Sequence, residues 1–173
     1  DRISTSPNGN GGWFISFAKA GLLDEAKAKG IEYINLFAVD NVCQRMVDPL
    51  FVGAMLDGGY VSASKVVSKA APEEKVGVLC LEDGKPSIVE YYELTEEMRY
   101  ETLPDGSLAY KDGVILNYLF SIKALEENMH NNLVTHVVKK KIECLDENGN
   151  TVKPETENGY KFETLVLDMI HEI

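Results

Sequence analysis

Cysteine is scarce in this chain of 173 residues. The three present, Cys43, Cys80 and Cys144, stand far apart, and no CxxC pair exists. An odd number at wide spacing favours neither a disulfide framework nor a structural zinc site, and it fits a reducing, cytoplasmic compartment. Long hydrophobic runs are missing too. No stretch approaches the ~18 apolar residues of a membrane span. No basic-then-apolar leader opens the chain. No membrane partner is therefore expected. Positive charge is in deficit: 17 Lys and Arg face 28 Asp and Glu, a formal net charge of −11. A nucleic-acid polymer needs basic surface for its phosphates, so the balance argues against that class of partner and none is expected. One nucleotide is not excluded, because it needs only a local patch of donors and a metal. His130, His136 and His171 show no ligand spacing.

What is present is ordinary globular composition, 45% hydrophobic and 26% charged, enough for one domain with a real core. There are no internal repeats. An Asn-Gly-rich loop ends at Gly12, and the aromatic spacing Trp13/Phe17 and Phe14/Ala18 predicts a helix over residues 13–20. A second helix is expected over 22–29, stopped by Gly30. Residues 31–39, IEYINLFAV, read as a buried strand, and Asp48-Pro49 opens a helix over 50–56. Strands are expected over 62–68, 75–81, 87–94 and 114–121, with Asp83-Gly84 as a hairpin turn. A helix follows over 122–129, and two short strands flank 146–149. The last stretch, 162–173, reads as a helix. The loop, helix and strand order indicates an α/β layered domain. Both ends read as cut, since Asp1 is not a start residue and the last helix has no capping glycine.

Several residues could carry chemistry. In PNGNGG at 7–12, glycines let backbone approach a ligand, and the following helix start offers free N–H groups; such a loop is also an ordinary turn. Asp40 ends the strand 31–39, where a carboxylate can hold Mg²⁺ or merely cap a turn. Glu90 and Tyr91 follow a strand, and a carboxylate there suits paired sugar hydroxyls, though an exposed strand end is the plainer reading. Lys161 can stabilise phosphate charge, or stand solvated.

In this order the motifs resemble one family. PNGNGG, VDN at 39–41, VDP at 47–49, KVV at 65–67, VGV at 76–78, VEY at 89–91 and NGYKFE at 158–163 are similar to UDP-N-acetylglucosamine pyrophosphorylases, within the UTP-sugar-1-phosphate uridylyltransferases. The resemblance runs from about Arg2 to the end. It implies a nucleotide-diphospho-sugar transferase domain of the glycosyltransferase A-like kind, with a mixed, mainly parallel sheet flanked by helices. It implies an enzyme that takes UTP and a sugar 1-phosphate, uses Mg²⁺ and releases pyrophosphate. Carried over by position, Gly9 and Asn10 would meet nucleotide, Asn10 also the sugar. Asp40 would lie at the phosphates and metal, and Gly77, Glu90 and Tyr91 would bind sugar. Asp40 and Lys161 would be the catalytic pair, with Lys161 at the phosphates. The family's Gly-rich UTP loop would precede Asp1, so residues 1–173 would be an internal part of one catalytic domain and inactive alone. Val114 stands where the family has Asn, and Leu165 and Leu167 where it has aromatics. N-acetylglucosamine 1-phosphate stays the first expectation, with N-acetylgalactosamine, glucose or galactose 1-phosphate, or a non-catalytic UDP-sugar-binding relative, as the alternatives.

Overall fold

The computed structural model describes Thr5 and residues 7–173. Residues 1–4 and 6, where the first loop and the family resemblance begin, lie outside them.

Two short helices lead. Helix α1, Trp13–Lys19, puts Phe14 fully out of solvent. Trp13 packs on Phe17 and reaches forward to Phe120. Gly21, at φ 75°, breaks the path and starts α2, Leu22–Ala28, which buries Leu23 and Ala26. A side chain is disfavoured at that φ, so the glycine fixes the corner. Gly30, at φ 71°, makes the second turn. Strand β1, Tyr33–Phe37, follows. Helix α3, Pro49–Asp57, is capped by the Asp48 side chain, which accepts from the Leu50 N–H, and its first residue is proline. Both are standard helix-start chemistry. Strand β2 is Ser62–Ser68, and the hairpin β3, Val78–Glu82, with β4, Lys85–Val89, turns on Asp83-Gly84. Both turn residues have positive φ, 50° and 81°, as a two-residue hairpin turn requires.

Helix α4, Glu96–Tyr100, capped by Thr95, has no counterpart in the sequence reading. Strand β5, Asp112–Ser121, is the spine of the sheet and runs into α5, Ile122–Asn128, through a Ser121 cap. Strands β6, His136–Lys140, β7, Cys144–Leu145, β8, Thr151–Val152, and β9, Gly159–Glu163, form two small ribbons. A 3-10 turn, Val166–Asp168, and α6, Met169–Glu172, complete the chain. Tyr118, Phe120, Phe14, Leu125 and Val166 form the buried centre of the core.

The main sheet has the order β1-β5-β3-β4, with β2 on the other edge of β5. Every ladder among the described residues is antiparallel, so the expected mainly parallel sheet is corrected. The family resemblance gave the parallel expectation; the order of elements by itself indicated only an α/β layered domain. The β1-α3-β2 crossover does return β2 in the direction of β1, since both oppose β5. What periodicity could not supply is that β5, from some 80 residues on, inserts between them; Leu119 faces Asn35 on one side and Ala63 on the other. The single helix expected over 162–173 is also corrected. Phe162 pairs with Val137 in a ribbon. Beyond it, Thr164 donates its N–H to Asn8 at 2.8 Å and accepts from Gly11 at 2.8 Å, which holds the chain extended until Leu165.

Candidate functional site

The glycine loop is built into the fold through the link that follows β9. Gly9 has φ 90°, and a Cβ there would stand 2.2 Å from the Thr164 carbonyl oxygen. At Gly11 a Cβ would stand 2.8 Å from Leu133 Cδ1. Asn10 accepts the Val166 N–H on Oδ1 at 2.9 Å. That takes up its acceptor, so the Nδ2 amino group is what Asn10 can offer a ligand.

Beside Asn10 opens a cavity of about 240 Å³. Gly77, Glu90 and Tyr91 line it with Asn10, so four residues expected at a sugar meet in one place from three separate parts of the chain. Val114, Leu116 and Tyr118 of β5 form its floor, and Leu165, Val166 and Leu167 its far wall. The opening follows from an irregularity in β5. Leu116 has φ 49°, a left-handed conformation rare for such a side chain, and it sits where β1 pairing gives way to β3 pairing. The Ala38 N–H bonds the Leu116 carbonyl and the Val114 N–H the Gly77 carbonyl. The β2 register shifts at the same level, between Ser64 and Val66. Bulges of this kind bend a strand and commonly stand beside sites. At Gly77 a Cβ would make ordinary contacts, 3.4 Å from Ile88 and Val114, so neighbouring protein does not demand the glycine.

Glu90 follows β4 in a tight turn whose Glu93 and Leu94 N–H groups bond its carbonyl. Burial pushes the Glu90 carboxyl above the ordinary carboxylate range, a backbone hydrogen bond at Tyr91 opposes this, and the nearby Glu93 charge adds to it. A carboxylate kept poor in water is poised to accept hydroxyl donors.

Asp40 and Lys161 stand apart from this cavity. Asp40 is exposed in the turn after β1. A chain of amides anchors its loop: Asn35 Nδ2 donates to Asn117 Oδ1 at 3.0 Å, and Asn117 Nδ2 donates to Gln44 Oε1 at 2.9 Å. The Val47 N–H bonds Asn35 Oδ1 at 3.3 Å. The loop ends on Asp48, whose pKa is lowered chiefly by the hydrogen bond from Lys65 Nζ at 2.6 Å. Lys161 lies on β9 opposite Val138 and pairs with Glu163 two residues on. Among the described residues no group of three His, Cys, Asp or Glu side chains could hold a metal.

The sequence reading missed a second group. His136, 7% exposed, lies between Glu93 and Asp168. These three are separated by 43 and 32 residues, so no local spacing announces them. Nor was Asn117 singled out, although it is only 1% exposed. A polar residue inside the apolar run of β5 was the available signal.

A sequence model of the family described as UTP--glucose-1-phosphate uridylyltransferase matches residues 1–166. Human UDP-N-acetylhexosamine pyrophosphorylase-like protein 1 is 39% identical over 172 residues, 98% of this chain and 34% of that protein. A crystal structure from Entamoeba histolytica superposes with a TM-score of 0.87 at 35% identity, covering 98% of this chain and 42% of its own. The uridine diphosphate N-acetylglucosamine pyrophosphorylase of Trypanosoma brucei, solved with an inhibitor, gives 0.80 at 27% identity, over 98% and 33%. The chain thus spans about a third of the length of the curated relatives it matches. With a family match over residues 1–166 and a relative 39% identical over 98% of its length, the chain belongs to the UTP--glucose-1-phosphate uridylyltransferase family.

Proposed function

We propose that the full-length protein joins UTP to a sugar 1-phosphate, making a UDP-sugar and pyrophosphate, and that this chain carries the sugar side of a nucleotide-diphospho-sugar transferase domain. The observation that carries the reading is the convergence of Asn10, Gly77, Glu90 and Tyr91 on one cavity. Relatives named as UDP-N-acetylglucosamine pyrophosphorylases support N-acetylglucosamine 1-phosphate as the first substrate to test. A phosphate oxygen of the sugar 1-phosphate attacks the α-phosphorus of UTP in line. The new O–P bond forms as the α–β anhydride breaks, and pyrophosphate leaves. The protein supplies positioning and charge rather than covalent chemistry. Glu90 orients the sugar through its hydroxyls. Asn10 donates from Nδ2, and Gly9 presents its backbone to the nucleotide. Lys161 supplies charge at the phosphates. Asp40 would hold magnesium, which when bound neutralises phosphate charge. The free cysteines favour a reducing compartment, and we place the protein in the cytoplasm. No helix among the described residues is long and apolar enough to cross a membrane.

The test is coupled pyrophosphate release by the full-length protein with UTP, Mg²⁺ and a panel of N-acetylated and plain hexose 1-phosphates. Turnover with at least one is expected. Tight UDP-sugar binding without turnover would leave a binding protein in place of an enzyme.

A further inference from the structure

The Glu93–His136–Asp168 group lies directly behind the cavity and joins its walls. His136 Nδ1 is 3.2 Å from Glu93 Oε1, and Nε2 is 3.0 Å from Asp168 Oδ2 and 3.1 Å from Oδ1. A carboxylate only accepts hydrogen bonds, so with both partners ionised both ring nitrogens must carry protons. The ring is then an imidazolium between two anions. Each partner belongs to a different wall. Glu93 accepts the Glu90 N–H on Oε2 at 3.1 Å and so shapes the turn that presents Glu90 and Tyr91. Asp168 closes the 3-10 turn that carries Val166 and Leu167, and its N–H bonds the Leu165 carbonyl. Asn10 holds the same turn from the other side through Val166.

We propose that His136 is a positioning residue for sugar binding: its protonated ring clamps the Glu90 turn to the Leu165–Leu167 wall, and losing that proton loosens the pocket. The proposal rests on the sugar-site reading above. Without the proton, Glu93 and Asp168 share a single N–H and repel across the ring. The surroundings favour the charged state. Glu90 stands behind Glu93, and Glu163 of β9 is the cross-strand neighbour of His136, with Lys161 beside it. A second cavity of about 280 Å³ on the ring's outer side adds Glu82 of β3 and His171 and Glu172 of α6. Carboxylates outnumber cations around the ring. Burial opposes its charge, but the hydrogen bonds and charges of Asp168 and then Glu93 outweigh this and raise its pKa above the ordinary histidine value. Affinity for the sugar phosphate is then expected to weaken as pH rises through that raised value.

The experiment measures KM for both substrates against pH in the full-length protein, wild type and His136→Gln. In wild type, KM for the sugar 1-phosphate should rise at alkaline pH, by about tenfold for each unit by which sugar binding moves the histidine pKa. KM for UTP should not follow it. In His136→Gln the sugar KM should be flat with pH and raised over wild type at acid and neutral pH, the two converging at alkaline pH. A variant that keeps the wild-type pH profile, or loses both substrates equally, overturns the proposal. Wild type that turns over no sugar 1-phosphate overturns the functional reading and this proposal with it. Nitrogen NMR of the wild-type histidines keeps the test open if the variant does not fold. Adding UDP-N-acetylglucosamine should raise the His136 midpoint, and an unmoved midpoint on saturation overturns the clamp.

Discussion

Glu90 has two jobs that pull against each other. Burial raises its pKa, which means the folded state holds its charge at a cost. A neutral isostere should relieve that cost, so Glu90→Gln is expected to raise the melting temperature near neutral pH, read by differential scanning fluorimetry. The Ala variant tests function: KM for the sugar phosphate should rise about 10- to 100-fold, the loss of a charged hydrogen bond of roughly 1.5–3 kcal/mol, with UTP little affected. Equal losses for both substrates would make Glu90 structural. Asp40 is the opposite case. It is exposed, so Asp40→Asn should change stability by less than about 0.5 kcal/mol. Turnover should nonetheless fall on the order of 10²-fold or more at saturating Mg²⁺. Near-normal pyrophosphate release would remove Asp40 from the phosphate site. Val114, on the cavity floor, offers a sugar neither donor nor acceptor. A pocket lacking that polar partner discriminates weakly. Broad sugar use is expected in wild type, and Val114→Asn should shift kcat/KM toward N-acetylglucosamine 1-phosphate. Strict wild-type selectivity for that substrate would sink the idea.

Strand β5 does most of the organising at the level of elements. Its far half, Tyr118 to Phe120, is core, while Asn117 sends one amide into the loop that carries Asp40. Replacing Asn117 by Leu would take one acceptor from the half-buried Asn35 amide, which keeps the Tyr118 carbonyl, and would remove the donor to the Gln44 side-chain carbonyl. The expected cost is about 1–3 kcal/mol in urea unfolding. Faster amide exchange confined to residues 38–48 should accompany it. Unchanged stability would mean that the loop holds without the amide chain. The kink at Leu116 opens the cavity in the same strand, so one element both closes the core and shapes the site.

Stability of the whole molecule should depend on pH in a direction set by its buried groups. His136 has a raised pKa, and so do Asp168 and Glu90, in both of which burial is the leading cause. A group whose folded pKa exceeds its unfolded value binds its proton more tightly in the fold. Its contribution is complete below the unfolded pKa and is lost as pH climbs through the folded one. For His136 that loss begins above the ordinary value of 6.5. Asp48, with a lowered pKa, works the other way and fails as acid protonates it. The melting temperature should therefore decline on the alkaline side of about pH 6.5. His136→Gln should flatten that decline. A melting temperature that is constant or rises there in wild type contradicts the assignment.

Much of this protein was legible in residue order. Gly21, Gly30 and Asp83-Gly84 dictate turns through their own backbone preferences, and Asp48-Pro49 starts α3 through local hydrogen bonding. Local chemistry determines these turns and this helix start because the groups involved are neighbours along the chain. The motif residues Asn10, Gly77, Glu90 and Tyr91 were named together at a sugar through the family resemblance, before their meeting place was known. Tertiary structure alone decided the antiparallel sheet, since strand direction depends on which distant segment fills the gap between β1 and β2. It turned the expected C-terminal helix into a strand, a link and a turn, because Asn8 and Gly11 take the hydrogen bonds of Thr164. It also set His136 between Glu93 and Asp168, a contact across dozens of residues whose ionic character arises only when burial removes the water between them.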